Sequence, residues 1–188
     1  MNEDKLIKII NNLSYTDFVG EINQWNTLPG SYITLNKWIN FSNLNSNSRY
    51  LDVACTTGIK SRTISELTGC KALGVDISKK SIQSAIFNKE MYTPEADVEY
   101  HNIDATKFHP KEKFSHISFG ASLRFFDNPK KMLEHSLKDL LSTNGFYWLR
   151  NFMGQSQFQN LFVKISIKFL TFTQQILVIK KLGKYIMV

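Results

Sequence analysis

Apolar and polar positions along the chain follow two periods, one helical and one of strands. Leu6, Ile9, Ile10 and Leu13 recur at helical spacing over residues 4–13. Pro29-Gly30 marks a turn, and Leu35, Trp38 and Ile39 then fall on one side of a helix predicted from about residue 33 to residue 41. A polar connector, "NLNSNS", leads into regular alternation. "RYLDV" (49–53) predicts a first strand, and residues 59–68 a helix that Gly69 terminates. "KALGVD" (71–76) predicts a second strand, after which Ser78 caps a helix over 79–91. Residues 97–104 and 113–120 predict strands three and four, joined by a link so short that any helix in it is a single turn. Asn128 and Pro129 open the next helix, in which Leu133, Leu137, Leu140 and Leu141 stand at i, i+4, i+7 and i+8. Asn144-Gly145 then turns into a fifth strand, "FYWLR" (146–150).

Strands alternating with helices imply an α/β protein: a Rossmann-like, doubly wound, mostly parallel sheet with helices on both faces and a helical N-terminal extension. Three regions follow, at 1–47, 48–150 and 151–188. In the last, "LFVKISIKF" alternates with period two and "ILVIKKLGKYIMV" is a second strand-like run. No helical pattern separates them, so the tail either completes the sheet or leaves its last edge incomplete.

Composition narrows the class. The 188 residues, 43% hydrophobic and 21% charged, suit one globular domain. The net charge of +7 is concentrated at the end: residues 151–188 carry five lysines and no acid, leaving eighteen basic against sixteen acidic residues before them. A nucleic-acid enzyme spreads its basic surface over the catalytic domain, so nucleic acid is not the expected partner. The first residues lack a signal-peptide pattern and no stretch is apolar enough to span a bilayer. Cys55 and Cys70 have no ligand-like spacing, and a reducing, cytoplasmic setting is expected.

Ligands of such sheets bind beyond the carboxyl ends of the strands, which puts "LDVACTTGIKS" at the centre of any site. Dinucleotide enzymes need glycine there for the backbone to approach a pyrophosphate. Ala54 and Thr56 crowd that approach, which disfavours NAD. S-adenosyl-L-methionine carries no phosphate; its zwitterionic end needs amides for a carboxylate and an acceptor for an ammonium, which a loop of small residues and Asp52 can supply.

"LDVACTTG", "LGVDIS" about twenty residues on, "VEYHNIDATKF" and "FSHISFGASLRFFDNPKKMLEHSLKDLLSTNGFYWL" together resemble the ordered motifs of class I S-adenosylmethionine-dependent methyltransferases, in their small-molecule branch, over about residues 48–150. The resemblance implies that Asp52, Ala54 and Gly58 hold the methionine end of the cofactor, that Asp76 accepts both ribose hydroxyls, and that Ile77 packs against adenine. It implies that Asp104 accepts from the adenine amino group beside the backbone of Ala105, with Asp97 and Asn102 as close neighbours, and that Gly120 and Ala121 lie near the transferring methyl. It names no catalytic residue: where many relatives carry a histidine after strand four, this chain has Arg124-Phe125-Phe126.

Other expectations concern single residues. Thr56 stands where the family commonly has glycine and fits only if its backbone keeps a negative φ. Trp25, Pro29, Gly30 and Tyr32 are a candidate cofactor lid and substrate wall, or else a helix-packing strut. Cys55 is a small loop residue, His101 and His116 are structural, His109 and His135 lie on the surface, and no spaced set of metal ligands occurs. The function this implies is methyl transfer to a small-molecule acceptor. The alternatives are a truncated, catalytically degenerate binding protein and, on the basic tail alone, an RNA methylator.

Overall fold

The computed structural model describes residues 2–25, 30–120, 122–153 and 157–164, with the backbone alone at Leu6, Arg124 and the strand residues from 150 onward. Within them a six-stranded sheet has the order β3-β2-β1-β4-β5-β6. Its strands are β1 (Arg49–Val53), β2 (Lys71–Asp76), β3 (Val98–Asn102), β4 (Phe114–Phe119), β5 (Leu141–Met153) and β6 (Gln157–Lys164). The first five run parallel, and β6 returns antiparallel to β5 at the edge. Strand order reverses between β1 and β4, which makes the carboxyl ends of these strands the crevice of the fold.

Each strand sorts its side chains by parity. Leu51 and Val53 of β1, Ile117 and Phe119 of β4, and Tyr147 and Leu149 of β5 form one core with Leu133, Leu137 and Leu140. That face is covered by α6 (Pro129–His135) and the π-helical turn Ser136–Leu140. Tyr50 and Trp148 face the other side and pack with Leu35, Trp38, Ile64, Ile82 and Tyr100. There α3 (Ser31–Ser42), α4 (Ile59–Thr68) and α5 (Lys79–Tyr92) cover the sheet. Burying each large aliphatic side chain contributes about 1.5–3 kcal/mol.

Local chemistry sets most helix ends as expected. Ser78 Oγ accepts from Ser81 N, Asn128 Oδ1 accepts from Lys131 N ahead of Pro129, and Gly69 closes α4 at φ +70°. The link after β3 holds a single 3-10 turn, Ala105–Lys107. Two expectations change. The third strand stops at Asn102, because Asp104 leaves the ladder to cap that turn. Asn144-Gly145 is a bulge inside β5 rather than a turn before it: Phe114 pairs with Leu141 but His116 with Phe146, and Asn144 has φ +64°. The N-terminal stripe does form a helix, α1 (Glu3–Asn11), but its Ile7, Ile9 and Ile10 are exposed. The run "LFVK" lies in β6, whereas "ILVIKKLGKYIMV", Pro29 and Ala121 lie outside the described residues.

The N-terminal helix α2 (Tyr15–Glu21) docks on the start of α5. Gly20 permits the close approach, since a Cβ there would lie 2.4 Å from Ser81 N. Ser81 Oγ donates to Thr16 O and Ser84 Oγ to Gly20 O, each at 2.7 Å, and Lys80 pairs with Glu21.

Candidate functional site

Between β1 and α4 the loop turns through positive φ at every second residue: Ala54 at +55°, Thr56 at +49° and Gly58 at +80°. This overturns the expectation that Thr56 keeps a negative φ. For an L-residue this conformation costs about 1–2 kcal/mol, so something outside the loop must hold it. Asp76 Oδ2 accepts from Thr56 N at 3.0 Å, Thr57 Oγ1 donates to Gln24 O at 2.6 Å, and Asn88 Nδ2 donates to Thr57 O at 3.1 Å. Gly58 meets a second demand, because a Cβ would lie 2.5 Å from the Tyr100 hydroxyl oxygen. Cys55, buried in the loop, has its thiol pKa pushed well up by burial and the nearby Asp52 and is chemically quiet.

Asp76 closes β2, 3% exposed, with Oδ1 accepting from Ser78 N at 2.9 Å and Oδ2 from Thr56 N. Burial raises its pKa; the two amides pull it back. Each carboxylate oxygen has a further lone pair to offer. Ile77 beside it is 71% exposed, an apolar side chain left open at the mouth of the crevice. At the end of β3, Asp104 Oδ1 accepts from Thr106 N and Oγ1, and the Thr106 hydroxyl chiefly holds its pKa low. Ala105 follows, buried. Asn102 binds the carbonyls of Asp76 and Ile77 through Nδ2, at 3.0 and 2.8 Å, and so fixes the β2 end against β3. Asp97 is exposed ahead of β3.

Asp52, fully buried on β1, stands in a polar chain. Tyr50 Oη and Ser118 Oγ are 2.6 Å apart, and Ser118 Oγ donates to Asp52 Oδ1 at 3.2 Å. Lys60, from the first turn of α4, brings Nζ to 2.5 Å from the same Oδ1. Asp52 Oδ2 is buried with no hydrogen-bond partner. Gly120 follows β4 here, and a Cβ on it would lie 3.4 Å from Lys60 Nζ. Sequence reasoning missed Lys60; its only signal was a cation in the first turn of a helix, where the macrodipole disfavours positive charge.

Two N-terminal contacts reach the crevice. Asp17 Oδ1 accepts from Ser78 Oγ at 2.6 Å, a bond that lowers the Asp17 pKa. Tyr15 stacks at 6.4 Å on Phe125, which lies in the 3-10 turn Leu123–Phe125 beyond β4. Both rings are largely exposed and join the helix on α5 to the β4 side of the crevice. Trp25, expected as a lid or else a helix-packing strut, covers the Arg62 guanidinium at 4.2 Å and meets Tyr92 edge-on, on the flank where α4 faces α5, contacts of the strut kind. Gly30 caps α3 and Tyr32 is exposed.

His116 is buried and held by Ser115 Oγ and Ser42 O; His101 is a half-exposed partner of Glu99. His109 is exposed as expected, but His135 is not a surface residue: its ring joins Asp139 to Phe108 O, with the side chain 11% exposed. Among the described residues there is no cluster suited to a metal ion and no helix long and apolar enough to cross a membrane.

A protein family described as a methyltransferase domain matches residues 44–177. No curated protein matches the chain in sequence. Among solved structures, the MccD protein is similar at 29% identity and TM-score 0.62, over 76% of this chain and 60% of its own. An S-adenosylmethionine-dependent methyltransferase from Geobacter sulfurreducens, solved with S-adenosyl-L-homocysteine, is similar at 16% identity and TM-score 0.64, over 74% of this chain and 55% of its own. The cyclase SpnF shares the fold at 18% identity and TM-score 0.58, over 63% of this chain and 43% of its own. The chain thus spans less than two thirds of the length of these structures.

Proposed function

Because the chain belongs to the methyltransferase-domain family, we propose that it binds S-adenosylmethionine beyond the carboxyl ends of β1, β2 and β3 and transfers its methyl group to a small molecule. The observation that carries this reading is the pairing of a polar and an apolar group at the end of β2. Asp76 presents a buried carboxylate with unused lone pairs, and Ile77 an open apolar side chain. Two ribose hydroxyls need an anionic, two-oxygen acceptor, and a flat base needs an apolar wall. The bare Oδ2 of Asp52 supplies an acceptor for the ammonium of the amino-acid tail.

When bound, the cofactor supplies a methyl group on a positively charged sulfur, a leaving group already activated. The chain's own part is placement. Asp76 fixes the sugar, Ile77 and Ala105 flank the base, Asp104 receives its amino group, and Gly120 leaves room for the acceptor to approach in line. Orientation of this kind is worth up to about 7–11 kcal/mol of barrier, so a dedicated base is not required. The near balance of basic and acidic residues before position 151 favours a small acceptor over RNA. The free, buried Cys55 and Cys70 favour the reducing cytoplasm as the setting.

Thermal-shift titration of the chain with S-adenosylmethionine and with NAD tests the reading. A specific ligand raises Tm by mass action, by about 2.7 kcal/mol of stabilisation at one hundred times Kd. S-adenosylmethionine is expected to raise Tm and NAD to leave it unchanged, with the shift lost in Asp76→Asn. A shift with NAD alone, or an undiminished shift in that variant, refutes it.

A further inference from the structure

Arg62, on the flank of α4 that faces α5, is a buried charge without a counter-ion. It is 2% exposed, and no carboxylate among the described residues pairs with it; Glu66, one turn further along α4, points to solvent. Burial presses its pKa below the ordinary arginine value, but a guanidinium stays charged in any protein. Trp25 lies over Cζ at 4.2 Å and Tyr92 at 5.9 Å. Such contacts serve the flat face of the group. They do not serve its N–H bonds, which lie in the plane and point out of its edges. Nε and Nη2 are both buried with no hydrogen-bond partner. These two nitrogens carry parallel N–H bonds on one side of the guanidinium, the pair that grips a carboxylate through both of its oxygens. A strut between helices needs only the stacked faces, and an apolar side chain would fill the same space without leaving two donors bare.

We propose that Arg62 is the floor of a carboxylate-binding site between α4 and α5, its Nε–Nη2 edge taking both oxygens of an acid carried on a flat, apolar body. The walls are Trp25 and Tyr92, which meet edge to face at 4.5 Å and are themselves 40% and 51% exposed. Tyr32, 54% exposed, is a third aromatic side chain near the cation. The carboxylate matches the charge and the rings match the body, so an aromatic acid suits the site better than acetate or inorganic phosphate. Entry asks one ring to turn aside. The backbone next to it is fixed, since Gln24 O accepts from Thr57 Oγ1 and the side chains of Asn23 and Asn88 exchange two amide bonds, at 2.9 and 2.8 Å. Trp25 is held through its contacts with Arg62 and Tyr92, and its movement uncovers the guanidinium. The site stands one helical turn past Gly58, whose carbonyl accepts from Arg62 N, and it takes its ligand without the cofactor.

Arginine side-chain NMR of the isotope-labelled protein tests this, with sodium benzoate, sodium acetate and inorganic phosphate as probes at an ionic strength held constant with chloride. The Arg62 Nε–H signal is the one that shifts in Trp25→Phe, because the indole stacked on the guanidinium sets its ring-current field and the variant keeps a ring in place. Benzoate is expected to move that signal downfield and to saturate. By calorimetry it is expected to bind about tenfold more weakly to Arg62→Lys, which keeps the charge but loses the fork. Acetate is expected to reach the same edge with lower affinity than benzoate, since it offers the rings nothing to cover. A signal that benzoate leaves unmoved, or moves only as chloride does, makes Arg62 a cation–π strut only and overturns the proposal. Saturation by phosphate and not by benzoate overturns the carboxylate assignment. Benzoate binding undiminished in a folded Arg62→Lys places the ligand elsewhere and overturns it as well. Where that variant fails to fold, the wild-type titration decides alone.

Discussion

Replacing Ala54 by glycine isolates the strain stored in the β1–α4 loop. Ala54 has φ +55°, half-buried, with Thr56 at +49° two residues on. The left-handed conformation costs an alanine about 1–2 kcal/mol that glycine does not pay. Glycine in turn loses about 0.5–1 kcal/mol more chain entropy on folding. The difference is a net stabilisation of up to about 1.5 kcal/mol. For a chain of this length 1 kcal/mol moves Tm by about 2–4 °C, so the variant should melt higher, by up to about 6 °C. Valine at the same position keeps the left-handed backbone and adds a β-branch, so Ala54→Val should melt lower than wild type. Thr56→Gly should be nearly neutral, since relief of strain is offset by loss of the 2.8 Å bond from Thr56 Oγ1 to Cys55 O. Thermal melts followed by circular dichroism, with urea titration as a check on cooperativity, read all three. A lower Tm for Ala54→Gly, or an unchanged one for Ala54→Val, refutes the account of the loop as strained.

Two further outcomes follow from the packing. Burial holds the His116 pKa below its ordinary value, so the unfolded chain binds a proton there before the folded one does. The stability this lends is full above about pH 6.5 and is lost as pH falls through the lower, folded-state pKa. Wild type should therefore lose Tm between pH 7 and 5 more steeply than His116→Gln, and parallel curves would refute this. Gly20→Ala forces a Cβ to within 2.4 Å of Ser81 N and must push α2 off α5, at about 1–3 kcal/mol. Hydrogen exchange should quicken in residues 15–21, and unchanged protection there with unchanged Tm would show that the approach is not tight.

Strands β1, β2 and β4 were legible because strands buried on both faces are short apolar runs, and the ends of α4, α5 and α6 because Gly69, Ser78 and Asn128-Pro129 act within one turn of chain. What escaped depends on distant contacts. The helix over residues 3–11 carries its stripe whether or not anything covers it, so periodicity foretold the helix but not its exposure. The bulge at Asn144 reflects how β5 registers against β4, which no local pattern records. The positive φ of Thr56 is imposed by a carboxylate twenty residues on. In the site, Asp52, Asp76 and Asp104 were visible as acids closing strands. Lys60 was not, because its meeting with Asp52 depends on the direction in which α4 leaves the loop. The stacking of Tyr15 on Phe125 joins segments with no common pattern at all.

Asp76 explains how a loop without the usual glycines keeps its shape. One of its oxygens holds Thr56 N in the strained turn and the other holds Ser78 N at the start of α5, to which α2 is in turn tied through Asp17. The remaining lone pairs of the same two oxygens are those a ribose would use. On the proposed reading the group that would grip the sugar is also the one that holds Thr56 N and Ser78 N, so the two tasks cannot be separated by deleting the side chain. Asp76→Ala would release the loop and remove the sugar contact together. Asp76→Asn keeps one acceptor and the volume while removing the charge, and comparing its melting temperature with its ligand response assigns each share. The positive φ of Thr56 is then carried because the carboxylate that accepts from its amide also anchors the start of α5.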